Sequence, residues 1–327
     1  MIKTISFVFM ILWSFSASLK AQLKSDYCIS LAFSLMDIKQ NELADSLFDK
    51  AFLIGNQGGF SARVYLGRAE LKSLLLDSIS SIYYLEQSIE NGIKKESIQR
   101  KIRKGNLMFS KTWSIVLDKK YDSLYYKYES RVSKSEIQFI EQLNYLDQSI
   151  RKLYYSINMN NPNDSILECI KVVNDRNTAF VAEQFFNRYS INFPKMSEIG
   201  YYSVDNLANI LLHIGVEVDT SFFQIEKIIC DAIETKGFIS KYYANIVDFH
   251  RFSKGQGELY GTEMFNEKDG IKTYRPIFDI KNVDLRRKEV GLEPLYFHAK
   301  FWGAELPEGY SFDLEKFLAD LRREIKN

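Results

Sequence analysis

The sequence predicts a mainly α-helical protein: helical hairpins first, then a helical domain carrying one small β-hairpin. Three observations carry this. Proline is absent before Pro162, and glycine is absent from residues 107–199, so the two strongest breakers of regular structure are scarce over the first half. Small residues recur at a spacing that lets paired helices approach closely. Only the stretch around residues 258–278 reads as paired strands.

Taken in order, the chain opens as an export signal. Lys3 precedes an uncharged, mostly apolar run at 5–15, and the segment 16–21 is short and rich in small residues. A basic start, a short apolar core and a small-residue end make a secretory signal. The apolar core is far shorter than the roughly 20 residues a membrane-spanning helix needs. Cleavage is expected after Ala21, with Ser18 the alternative; no cysteine at the cut marks a lipoprotein. The mature chain is expected outside the cytoplasm, periplasmic or secreted, with no membrane span.

Residues 22–105 read as paired helices. Leu31, Ala32, Ala44, Phe48 and Ala51 form one unit, with a turn at 56–59; Ala69, Ser81, Leu85 and Ser88 form a second, 37 residues on. Ala32 and Ala44 lie 12 apart, placing small residues where two helices of a hairpin touch. This stretch resembles tetratricopeptide repeats, with serine replacing alanine twice in the second copy. Two such repeats leave apolar faces that need cover, and connecting helices over 106–134 and a helix at 135–156 are expected to supply part of it. The cations Lys94, Lys95, Arg100, Lys101, Arg103 and Lys104 cluster at the end of the repeats; they read as a solvated helix face or a partner contact.

A Asn/Pro/Asp-rich loop at 158–165 precedes helices expected at 166–189, 203–213, 219–235 and 240–252, with Ser165, Ser203, Asp219 and Ser240 as N-caps. Segments 258–265 and 271–278 flank Asp269-Gly270, a hairpin signal. A short helix from Val283 stops at Gly291 before Pro294, and a last helix covers 314–325, capped by Ser311 or Asp313. The expected organisation is a signal peptide at 1–21, repeats at 22–105, connecting helices at 106–134 and one C-terminal domain at 135–327.

Composition removes several function classes. Hydrophobic residues make up 46% and charged residues 26% of the 327, a globular balance. Lys plus Arg number 43 against 42 Asp plus Glu, so no global charge draws the chain to nucleic acid or an anionic membrane. Three widely spaced cysteines, Cys28, Cys169 and Cys230, are not a disulfide framework; they read as buried small hydrophobes or as one bridge. Three scattered histidines and no H-E-x-x-H imply no metal, and no G-x-S-x-G elbow or dinucleotide loop implies a cofactor or serine nucleophile.

What remains is an ordered polar series. Asp147, Gln148 and Arg151 share one helix, with Asp147 and Arg151 one turn apart. His213 ends an apolar helix. Glu258, Tyr260, Thr262 and Glu263 follow, then Asp284 and Arg286 before the Gly291-Leu292-x-Pro294-Leu295 run. The order D-Q-x-x-R, helix-ending His, Y-G-T, D-x-R-R, G-L-x-P-L resembles an uncharacterised bacterial domain family with a Q-x-Y-G-T-Q signature. That family is often exported and often sits behind helical repeats. The chain departs from the signature at Glu258 and Glu263, where glutamines are expected, and shows Ile214-Gly215 after the histidine instead of Ala-Asp. The resemblance brings no known activity.

A histidine with carboxylates and arginines can do general acid–base work while a guanidinium holds an anion. The candidate catalytic residues are His213, Asp147, Arg151, Asp284 and Arg286; the candidate ligand-binding residues are Gln148, Tyr260, Thr262, Glu258 and Glu263. Asp175, Asp248 and Glu263 are carboxylates that could pair as in glycoside hydrolysis. The same residues also suit scaffolding: an i,i+4 ion pair, a satisfied core histidine and a hairpin corner. Two functions follow. The first is binding of a protein or peptide partner by the repeats. The alternative is a hydrolase-type enzyme, or a sensor of a small ligand, using the His/Asp/Arg set.

Overall fold

The structure, a computed structural model, describes residues 16–55, 61–104, 107–159, 164–217, 222–268 and 270–326. The signal core, the expected turn at 56–59, Asp219, Asp269 and residues 160–163 of the expected 158–165 loop lie outside the described residues; the rest of that loop, 158–159 and 164–165, is helical. The fold is mainly α, as expected, with fifteen α-helices among the described residues and one two-stranded sheet. No helix of the described residues is long and apolar enough to cross a membrane.

The chain forms two compact units, and their boundaries differ from the expected ones. One unit is discontinuous, Met1–Tyr128 with Gly257–Asn327; the other is Glu129–Gln256. The expected single domain over 135–327 is therefore divided. The physical reason is an apolar face left by the first hairpin, which the C-terminal segment covers.

In the discontinuous unit, α1 (Ala17–Asp37) pairs with α2 (Asn41–Ile54), and α3 (Ala62–Leu74) with α4 (Ser78–Glu90). The small positions expected at the helix crossings, Ala32, Ala44, Ala51, Ala69, Ser81 and Ser88, are all fully buried beside Phe48 and Leu85. Ser16, Ser61 and Asp77 cap three of these helices with side-chain oxygens. Further on, α5 (Lys95–Arg103) packs on α6 (Ser110–Lys119), followed by α7 (Tyr121–Glu129). Trp113, Val116 and Leu117 of α6 join Leu66, Leu85 and Ile89 in one apolar core.

A second core joins the two ends of the chain. Leu31, Leu35, Leu47 and Phe48 pack with Phe297 of α14 (Leu295–Trp302) and with Leu318 and Leu321 of α15 (Leu314–Lys326). The apolar face of the first hairpin is thereby covered: α15 meets α2 while α14 and α13 (Val283–Glu289) meet α1. Gly291 takes φ +77° and the Leu292 N–H reaches the Arg287 carbonyl at 2.8 Å, the stop expected there. Asp313 caps α15 by accepting from the Lys316 N–H at 3.0 Å.

The hairpin is shorter than expected. Strands β1 (Met264–Lys268) and β2 (Ile271–Tyr274) pair antiparallel, with an irregular register between Phe265 and Lys268. Glu258 instead makes an isolated bridge to Ile277. The Y-G-T residues form a buried corner between the two: Gly261 has φ +63°, and a Cβ there would meet Ile277 Cδ1 at 2.5 Å, so glycine is needed for conformation and space alike.

In the unit Glu129–Gln256, α8 (Lys134–Met159) packs on α9 (Asp164–Tyr189) and on α10 (Met196–Glu217); α11 (Phe222–Glu234) and α12 (Ser240–Ser253) complete it. Gly200, at φ 76°, breaks α10 near its start. The helix thus begins before Ser203, which lies inside it, and Ser240 is the first residue of α12, with Ile239 at the capping position and no side-chain cap. These two expected N-caps are corrected: backbone context, not the serine hydroxyl, sets each start. The cysteine reading also needs amending. All three thiols are free; Cys28 is buried, Cys230 is half-buried with its thiol pushed up to about 12 by burial, and Cys169 is exposed.

Ser81 and Ser88 occupy equivalent-looking small positions but differ chemically. Ser81 donates to the Ala69 carbonyl at 2.9 Å and accepts from Trp113 Nε1 at 3.0 Å. The buried Ser88 hydroxyl has no hydrogen-bond partner among the described residues. Ser81→Ala strands the buried indole N–H and should cost about 1–3 kcal/mol. Ser88→Ala should raise stability, because it removes an unsatisfied hydroxyl and improves helix propensity. Thermal melting checks both, at roughly 2–4 °C per kcal/mol for a unit of this size. Shifts of the same sign in the two variants would refute the assignment.

Candidate functional site

The structure brings four of the sequence candidates together in the unit Glu129–Gln256. Asp147, Gln148 and Arg151 stand on α8, and His213 projects from α10. The Asp147 side chain is 0% exposed. Its Oδ2 lies 2.6 Å from His213 Nδ1. An ionised carboxylate only accepts, so Nδ1 carries the proton and the opposite ring nitrogen is left as the basic one. Gln148 Nε2 donates to the same oxygen at 2.8 Å, and Arg151 Nε donates to Oδ1 at 3.3 Å.

The network continues to α9 and to the end of α10. Arg151 Nη1 meets Glu217 Oε1 at 2.6 Å, and Nη2 meets Thr178 Oγ1 at 3.1 Å. Thr178 donates to Glu217 Oε2 at 2.5 Å, and Asn174 Nδ2 reaches the same oxygen at 3.1 Å. Burial lowers the Arg151 pKa, but Glu217 and Asp147 outweigh it, so the guanidinium is held above its ordinary value. Glu217, Thr178 and Asn174 were not singled out in the sequence. Asn174 and Thr178 share one helix face at i,i+4, but polar residues at that spacing are common on solvated helices and carry no distinctive signal.

Chemically this is a histidine oriented by a buried carboxylate, the arrangement that makes an imidazole a directed base. No serine or cysteine of the described residues hydrogen-bonds His213, so any nucleophile it activates is water or a substrate group. Beside it runs a groove of about 420 Å³ lined by Glu141, Asn144, Tyr145, Gln148, Ser149 and Lys152 of α8 and by Asn206 of α10. Gln148 belongs to both groove and network.

The remaining candidates belong to the other unit, where Asp284 and Arg286 bond mainly to backbone. Asp284 Oδ1 accepts from the Leu295 N–H at 2.7 Å, starting α14, and Oδ2 accepts from the Tyr310 hydroxyl at 2.8 Å. Arg286 Nε donates to the Leu259 carbonyl at 2.8 Å and Nη2 to that of Asp279 at 3.1 Å. Tyr260 and Glu258 are buried, Thr262 and Glu263 half-buried, and the Glu263 N–H approaches Glu258 Oε2 at 3.4 Å. Of the carboxylates weighed for glycoside hydrolysis, Asp175 and Asp248 lie in one unit and Glu263 in the other. Among the described residues no cluster of three or more His, Cys, Asp or Glu could hold a metal.

This unit holds a polar cluster that the sequence reading missed. Arg287, which sits beside Arg286 in the D-x-R-R run, is buried. Its Nε donates to the Glu293 carbonyl at 2.6 Å, Nη1 to the Tyr260 carbonyl at 2.7 Å and Nη2 to Glu293 Oε1 at 3.4 Å. Ser30 of α1 donates to the other Glu293 oxygen. Burial raises the Glu293 carboxyl, but Arg287 and Ser30 outweigh it and hold it below its usual range. His298 shares a 2.8 Å hydrogen bond with the Tyr274 hydroxyl. Burial first, and the Arg287 charge second, lower His298 to about 4.

Comparison of the chain with protein-family models, with curated proteins and with solved structures finds no match.

His298 yields a pH prediction. Its ordinary value is 6.5 and its folded value about 4. Between these the unfolded chain binds the proton and the folded chain does not, so stability falls as pH drops from 6.5 toward 4. Glu293 acts lower: with its folded pKa depressed, its contribution is lost as pH falls below the ordinary 4.5. Melting curves of wild type and His298→Gln across pH 4–7 check this. The variant should lose the slope in the upper window; an unchanged slope would exclude His298 as its source.

Proposed function

We propose that the chain is an exported protein that binds a protein or peptide partner through its N-terminal, tetratricopeptide-like hairpins. One observation carries this reading. Leu76, Ile79 and Tyr83 stand at the α3–α4 turn and on one face of α4, and they are 65%, 82% and 55% exposed. Leu76 also takes φ +62°, a conformation that favours glycine and that leucine rarely adopts. Keeping a large apolar side chain both exposed and conformationally strained gains nothing in folding; a surface that is covered on association explains it. The export signal and the resemblance to the Y-G-T family are parts of the same reading and rest on the sequence.

The test is a triple variant, Leu76→Ser, Ile79→Ser and Tyr83→Ser. Because these side chains are exposed, the melting midpoint should move by no more than about 3–6 °C, since three surface substitutions at about 0.5 kcal/mol each sum to about 1.5 kcal/mol. Capture of the partner by the mature protein from the native extracellular or periplasmic fraction should fall at least about tenfold, as for loss of interface anchors worth over about 1.4 kcal/mol. Undiminished capture would refute the hairpin surface.

A second reading is favoured by the 2.6 Å contact between His213 and Asp147: hydrolase-type chemistry, or recognition of a small ligand, at that pair. Hydrolysis of p-nitrophenyl acetate provides the assay. His213→Ala should slow it by about 10²-fold, the lower range of general-base catalysis. His250→Ala is the control, because His250 Nδ1 is engaged by the Gly215 carbonyl at 2.7 Å and its ring stacks on Phe222. Equal rates for wild type and His213→Ala would remove the enzymatic form of this reading.

A further inference from the structure

The groove along α8 has the dimensions and chemistry of a seat for an extended peptide. Its α8 residues, Glu141, Asn144, Tyr145, Gln148, Ser149 and Lys152, follow one helical stripe. Glu141 and Lys152 mark its ends, 11 residues or about 16 Å apart at 1.5 Å per residue. That is the length of about five residues of extended chain at about 3.3 Å each. Between the ends, Asn144 and Gln148 lie one helical turn apart, with Cβ atoms about 6 Å from each other. Peptide groups pointing the same way along an extended chain recur about every 6.6 Å, so two amide side chains at this spacing can meet alternate peptide units.

The amides are placed to bond. Asn144 lines the groove; its Oδ1 is shielded from solvent with no donor among the described residues, so this amide meets a guest by turning outward. Gln148 is steadied by its Nε2 bond to Asp147, and Asn206 faces the groove from α10. Each carboxamide carries both donor and acceptor and matches a peptide group in kind. Tyr145, 73% exposed, offers an apolar surface for a side chain of the guest. The ends are oppositely charged, and neither Glu141 nor Lys152 has an ion-pair partner among the described residues. The groove is thus polar along its length and dipolar at its ends.

We infer that this groove binds an extended peptide segment of about five residues, by backbone amide pairing, with a cationic end at Glu141 and an anionic end at Lys152. The inference shares with the proposed function only the idea of a peptide partner; it places the binding on different helices.

The probe is a fluorescein-labelled, terminally blocked Lys-Ala-Ser-Ala-Glu peptide, titrated by anisotropy against the purified protein. Binding in the range of about 0.1–1 mM is expected for so short a segment. Methylating the two central backbone nitrogens should weaken it at least about tenfold, since backbone donors are removed without changing charge. Glu141→Lys should also weaken it about tenfold and shift preference to Glu-Ala-Ser-Ala-Glu. Both positions are exposed, so the fold is retained. No binding of the dipolar peptide, or equal binding of its N-methylated form, would overturn the inference. Binding of cellotriose or chitotriose that is lost in Tyr145→Ala, with no peptide binding, would overturn it in favour of a carbohydrate. The hairpin triple variant should bind the peptide normally. If it loses its partner while the peptide fails to bind wild type, only the groove is refuted.

Discussion

The discontinuous unit depends on one guanidinium. Arg287 is 1% exposed, and its planar fork holds carbonyls from the Y-G-T corner and the segment after α13 while pairing with the Glu293 carboxylate. Glu293 in turn is tied to Ser30 in α1. Through this chain of bonds the hairpin corner, the C-terminal helices and α1 are fixed to one another. No other side chain offers five donors in a rigid plane; lysine could neutralise Glu293 but would leave several buried carbonyls unpaired, and each unpaired group is expensive in a dry interior. Apolar packing of Phe297, Leu318 and Leu321 supplies the bulk of the attraction between the chain ends, but it is non-directional. Arg287 supplies the direction.

The second unit uses the same device with a carboxylate at its centre. Asp147 receives an imidazole, an amide and a guanidinium, and Arg151 passes the connection on to α9 and the end of α10. Viewed as architecture, this network registers three helices. Viewed as chemistry, it leaves one ring nitrogen of a half-buried histidine basic and directed. The two roles are compatible, because a general base has to be held still to be useful. His298 sits in a different setting. It is buried beside a cation and kept neutral to about pH 4, so it is a poor proton acceptor near neutrality and reads as part of the Arg287 scaffold.

Much of the fold was legible because helices announce themselves locally. The absence of breakers, the 12-residue spacing of Ala32 and Ala44, and the stops at Gly291 and Pro294 all act within a few residues. Helix starts were less legible at Ser203 and Ser240, where a capping residue type sits inside or at the first position of a helix whose start is set elsewhere. The unit boundaries were illegible for a different reason. That Phe297 and Leu321 belong with Leu31 and Phe48 is a fact about contacts more than 240 residues apart in sequence, and amphipathic spacing says that a face is apolar without saying what covers it. For the site, i,i+4 geometry placed Asp147 beside Arg151 in advance. His213 joined them only through tertiary packing, and Arg287 was passed over because a buried arginine looks in sequence like any surface one.

The polar series read from the sequence therefore separates into two kinds of residue that sequence order alone could not tell apart. Asp284 and Arg286 bond mainly to backbone, beginning a helix and securing carbonyls, with one Asp284 oxygen held by the Tyr310 hydroxyl. Such residues are fixed by geometry, and their chemistry is consumed by the fold. Asp147 and Gln148 bond to other side chains, and Gln148 also lines a groove. A backbone carbonyl engaged by arginine has no further business with a ligand. An amide steadied by a buried carboxylate at the edge of a cavity keeps its oxygen available for one. That difference, between polar groups that complete the fold and polar groups beside open space, sets α8 apart from the Y-G-T region.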